Sequence, residues 1–79
     1  MADGVEFSFG ERVRLLRERR SLSQAELGRS LHMTQRKISY LENDRYEPGV
    51  EDIRALCRFF GVSADYLLGL SPNLTNPKP

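Results

Sequence analysis

Apolar residues recur along this chain every three or four positions, the spacing of one helix face, and nowhere alternate as in a strand. Phe9, Val13 and Leu16 form the first stripe and predict a helix from about Phe9 to Arg20. Ser8 stands at its N-cap, while Arg19 and Arg20 suit the negative C-terminal end of the helix dipole. Ser23-Gln24-Ala25-Glu26 reads as a capping box opening a short helix, about Gln24 to Leu31, with Ala25, Leu27 and Leu31 apolar. Thr34 caps a third helix, about Gln35 to Asn43, with Ile38 and Leu41 turned inward. Asn43 and Asp44 favour the left-handed residue that stops it.

Pro48 marks a turn, and Glu51 and Asp52 occupy the favourable first turn of a fourth helix. Val50, Ile53, Leu56, Cys57 and Phe60 make its stripe, and Gly61 ends it. Ser63 caps a last short helix containing Tyr66, Leu67 and Leu68. Five short helices with brief connections predict one compact all-α domain over residues 9–70. Residues 1–8 are expected to form a flexible arm. Residues 71–79, with three prolines and no stripe, are expected to be a disordered tail.

Composition changes this picture little. Among 79 residues, 39% are hydrophobic and 29% charged, ordinary for a globular domain. No apolar run approaches the roughly 18 residues of a membrane span. The opening MADGVEFSFG lacks the basic-then-apolar order of a secretory signal. Cys57 is the only cysteine and no metal-ligand cluster accompanies it, so no disulfide, metal or cofactor is expected, and a reducing cytoplasmic setting fits. Its place on the fourth stripe marks it as a small core side chain. Charge is more informative. The net +1 conceals +5 over residues 12–45, against −3 before them and −1 after. A basic half on a near-neutral chain is the pattern of one face meeting a polyanion, although solvated helix faces would give the same count.

The segment Gln24 to Asn43 carries the specific argument. Only His32, Met33 and the cap Thr34 separate its two helices, so they must cross steeply, and Gly28 supplies the small residue that such a crossing needs. Glycine costs about 1 kcal/mol against alanine in a helix, and a cost of that kind has a packing reason. At 100° per residue, Ile38 and Leu41 share one side of the third helix, while Arg36, Ser39, Tyr40 and Asn43 share the other. Gln35 projects from the exposed tip. Glutamine and arginine are the side chains that bond bidentately to adenine and guanine edges.

Here the sequence resembles the Xre/Cro-type helix-turn-helix family, which includes lambdoid phage repressors. The resemblance runs over residues 9–70 and rests on LSQAEL (22–27), TQRKISYLEN (34–43) and FFGVSADYLLG (59–69), all at family spacing. It implies a five-helix bundle whose third helix enters the DNA major groove. The family usually has glycine where this chain has His32 and often where it has Asp44; both residues tolerate a left-handed backbone.

That resemblance implies roles for particular residues. Gln35, Arg36 and Tyr40 are the expected base contacts, with Lys37 able to reach base or phosphate. Gln24, Thr34, Asn43 and Arg45 are the expected phosphate contacts. Arg17 and Glu42 are expected to form a partly buried ion pair between the first and third helices. Apart from the resemblance, Phe59, beside the fourth stripe, reads either as a core side chain in a shifted helix frame or, with Ala64, Leu67 and Leu70, as the surface of a homodimer. The function read from all this is sequence-specific binding of double-stranded DNA by a transcriptional regulator, a repressor acting on a palindromic operator. The rival reading is the antitoxin half of a toxin–antitoxin pair, disfavoured because residues 1–8 and 71–79 leave little toxin-binding extension. An enzyme is not expected, since no nucleophile–base pattern or convergent carboxylate pair is present.

Overall fold

In a computed structural model, which describes residues 7–74, five helices follow one another: α1 Phe9–Arg19, α2 Gln24–Leu31, α3 Gln35–Glu42, α4 Val50–Phe60 and α5 Ala64–Leu67. There is no strand among the described residues. Each helix begins where its first free N–H groups find an acceptor. Ser8 accepts from Glu11 N at 3.1 Å while the Glu11 carboxylate accepts from Ser8 N at 2.8 Å. Ser23 and Glu26 repeat the arrangement at 3.0 and 2.8 Å, which holds the Glu26 carboxyl below its usual range. Thr34 and Ser63 cap α3 and α5 through their hydroxyl oxygens, and the Asp52 carboxylate reaches back to Gly49 N at the start of α4.

The ends are set by left-handed residues. His32 ends α2 at φ 60° and Asp44 follows α3 at φ 57°, the two positions where the sequence departs from the family glycine. Ser21 takes φ 56° after α1, a stop with no signal in its residue type.

Val13, Leu16, Leu27, Ile38, Leu56, Phe60, Tyr66 and Leu67 form the core, drawing on all five helices. A fully buried Leu or Ile side chain contributes about 1.5–3 kcal/mol here. Two close backbone approaches fix how α3 sits in this core. A Cβ on Gly28 would lie 2.5 Å from Met33 O, so only glycine lets the α2–α3 turn close. A Cβ on Gly10 would lie 2.5 Å from Leu41 O, so α1 rests its first turn directly on the end of α3. The second contact was not legible in the sequence, where Gly10 is simply a residue near a helix start.

Residues 1–6 and 75–79, where most of the expected arm and tail fall, lie outside the described residues. The first four residues assigned to the tail turn back on the domain, with Ser63 N donating to Leu74 O at 2.6 Å. None of the described helices is long and apolar enough to cross a membrane.

Candidate nucleic-acid interface

Helix α3 is held from below and at both ends, leaving one face outward. Ile38 and Leu41 are fully buried beneath it, whereas Gln35, Arg36 and Tyr40 are exposed and Ser39 half-buried. At its C-terminal end Glu42 is only 1% exposed. A buried carboxylate must be paired, and Arg17 supplies the partner from α1. Arg17 Nε donates to Glu42 Oε2 at 2.5 Å and Nη2 to Oε1 at 2.9 Å, while Nη1 donates to Leu22 O at 2.8 Å. The hydrogen bond to Glu42 raises the Arg17 pKa above its ordinary value. Gln24 joins the same carboxylate, Nε2 donating to Oε1 at 3.1 Å. One buried group thus gathers the start of α2, the last turn of α1 and the end of α3.

The loop after α3 is tied as firmly. Asp44 accepts from Ser8 Oγ at 2.5 Å and from Gly10 N at 3.0 Å, a carboxylate placed at the positive end of α1. Its left-handed backbone is therefore occupied by a side chain with bonds to make, not merely by a tolerated substitute for glycine. Spacing could not reveal this pairing across 34 residues.

Several expected DNA contacts are redirected by these bonds. The amide nitrogen of Gln24 is engaged by Glu42. That of Asn43 donates to Ser39 O at 2.8 Å, which closes the last turn of α3. Thr34 Oγ accepts from Lys37 N at 3.0 Å and retains a hydroxyl proton to donate. Arg45 stays exposed. Lys37 is turned away from the reading face: its Nζ donates to Asp52 Oδ1 at 2.8 Å and sits 5.2 Å from the centre of the Tyr46 ring. The hydrogen bond to Asp52 raises the lysine's pKa.

The charge count of residues 12–45 changes meaning accordingly. Arg12 is buried over the Tyr66 ring, with Nε donating to Phe7 O. Arg20 covers Phe59 and Phe60 and donates to both of their carbonyls. With Arg17 and Lys37 also spent on internal partners, much of the basic excess holds the fold together. Arg14, Arg19, Arg29, Arg36 and Arg45 remain exposed.

The expected dimer surface needs correction at Leu67. Leu67 is 0% exposed and belongs to the core, because α5 is a single turn that must drive its apolar side inward. Phe59 is packed edge-on against Phe60, with ring centroids 5.0 Å apart, and capped by Arg20. Leu70 is 73% exposed and Ala64 is exposed. Ala64 instead borders an apolar groove of about 360 Å³ between α4 and the start of α5, with Val50, Ile53, Cys57 and Val62. Burial pushes the Cys57 thiol up, away from reactive thiolate. Among the described residues there is no cluster of His, Cys, Asp and Glu able to hold a metal ion.

An exposed polar helix set on a glycine-closed turn and locked by a buried ion pair defines the class. The chain belongs to the helix-turn-helix domain family, whose model matches residues 8–72. It is similar to repressor protein C2 of Salmonella phage P22, 36% identical over 67 residues that cover 85% of this chain and 31% of that protein. It is also similar to the HTH-type transcriptional regulator ImmR of Bacillus subtilis (strain 168), 31% identical over 62 residues, covering 78% and 49%. The backbone matches the crystal structure of the P22 c2 repressor protein in complex with synthetic operator 9T, with a TM-score of 0.77 and 34% identity. That match covers 82% of this chain and 98% of the other. The chain spans less than half the length of the curated relatives that it matches.

Proposed function

We propose that the chain binds double-stranded DNA sequence-specifically by inserting α3 into the major groove, as a homodimer on a two-fold operator, and represses transcription by occupying that site. The carrying observation is Gln35, Arg36 and Tyr40 exposed together on a helix whose other side is fixed by Ile38, Leu41 and the Arg17–Glu42 pair. A helix that presents base-reading side chains must be held in place, and this one is, by Ile38, Leu41 and Glu42 beneath it. Arg45 and Thr34 dock the helix through phosphates, and the N–H groups at the start of α2 add a site for a further one. The similarity to a repressor solved on operator DNA supports the same mode of docking. The phage and bacterial regulators to which the chain is similar support a binding role, and work in the cytoplasm is part of this reading.

The dimer would form through the α4–α5 groove. Val50, Ile53 and Ala64 are apolar and open to solvent or half so, while Arg58 on α4 and Asp65 on α5 give the patch charges of both signs. Such a surface complements a second copy of itself about a two-fold axis. A two-fold dimer on DNA must set its two α3 helices one DNA turn, roughly 34 Å, apart.

Selection of bound duplexes from a random pool tests the reading directly. Enrichment of a palindrome with half-sites 10–10.5 base pairs apart, about one turn, is the expected result. Recovery of unselected sequences would overturn it.

A further inference from the structure

Lys37 sits on α3 beside Arg36 and one turn before Tyr40, where a free ammonium would meet phosphate or base. It is not free. Its Nζ is bonded to Asp52 Oδ1 at 2.8 Å, the two side chains being 32% and 10% exposed. The other oxygen, Oδ2, accepts from Gly49 N at 2.9 Å, so the carboxylate is fixed by the first turn of α4. The Tyr46 ring lies against the ammonium from the α3–α4 loop. Asp52 is thus anchored to the backbone on one side and holds the lysine on the other.

A lysine is a compact charge on a flexible stem, and its attraction to phosphate carries no sequence information. Released next to the reading side chains, it would strengthen binding to every duplex alike. Resting on the DNA-binding reading above, we propose that Asp52 is a specificity-determining positioning residue that withholds Lys37 from the DNA backbone. Discrimination is then left to Gln35, Arg36 and Tyr40, with no adjacent charge adding to affinity on unrelated sequence.

The test measures affinity of the whole chain for its selected duplex and for a scrambled one between 50 and 200 mM salt. Each phosphate contact adds about 0.9 to the slope of log affinity against log salt, roughly a three- to four-fold change over that range. Lys37→Met should leave the slope unchanged on both duplexes. Asp52→Asn should steepen it by about one contact on both and narrow the affinity ratio between them. A slope lowered by about one in Lys37→Met would show that Lys37 reaches phosphate despite Asp52, overturning the proposal. An unchanged slope in folded Asp52→Asn would do the same. Where Asp52→Asn melts below the assay temperature, the Lys37→Met slope decides alone, since that change leaves the Gly49 cap intact. Failure of the wild type to prefer its selected duplex would instead sink the DNA-binding reading itself.

Discussion

Arg17 and Glu42, 25 residues apart, meet through two parallel hydrogen bonds with the carboxylate almost wholly buried. The pair joins the last turn of α1 to the end of α3 and makes the angle of the reading helix a property of the core. Removing either partner leaves the other charge buried and uncompensated. Arg17→Ala and Glu42→Ala should each lower stability by about 3–5 kcal/mol. The double variant should recover part of that loss in urea melts. Additivity within about 0.5 kcal/mol would mean that the two groups are not coupled.

Arg36 carries the base-reading argument. Its replacement by alanine should cost about 1–3 kcal/mol on the selected duplex and relax preference at one position. Melting should be unaffected, because the side chain is exposed. An equal loss on scrambled DNA would reassign Arg36 to a phosphate.

His32 and Asp44 share a left-handed backbone at φ 60° and 57° but should respond differently to glycine. A left-handed non-glycine residue costs about 1–2 kcal/mol, so His32→Gly should raise the melting temperature. Asp44→Gly gains the same relief and loses the bonds to Ser8 and Gly10, so it should bring no increase. A rise of equal size in both variants would show that the Asp44 bonds contribute nothing.

Gly28→Ala removes a helix-propensity cost of about 1 kcal/mol and should nevertheless destabilise by about 1–3 kcal/mol, because its Cβ meets Met33 O. Thermal melts decide the sign. Stabilisation would mean that the turn can open without cost.

Burial works against ionisation of Asp52, but the Lys37 ammonium and the Gly49 N–H outweigh it and hold the carboxyl below its usual range. A lowered folded-state pKa gives stability that is present above the unfolded value and lost as pH falls through the folded one. The Lys37 pKa is raised, so its share persists until strongly alkaline pH. The stability difference between the wild type and Asp52→Asn should therefore be constant near neutrality and shrink below about pH 4. A difference that held constant into strong acid would show that the carboxylate's charge is not what Lys37 and Gly49 N recognise.

Five helices, the caps Ser8, Ser23, Thr34 and Ser63 and most of the inward faces were legible from local pattern, because caps act over three residues and stripes over one or two turns; Val50, assigned to the fourth stripe, is instead 69% exposed at the start of α4. Ile38 and Leu41 had to turn inward, and that alone placed Arg36 and Tyr40 outside. Net charge misled for the complementary reason. Composition counts Arg12, Arg17, Arg20 and Lys37 as solvent-facing cations, whereas packing gives each an internal partner contributed by another part of the chain. The exclusion of Leu67 from any interface, the meeting of Gly10 with α3, and the bonds from Asp44 to α1 and from Asp52 to Lys37 were likewise decided only in three dimensions. Each depends on where a distant backbone comes to lie, and residue type and spacing specify a helix's faces without specifying what will stand opposite them.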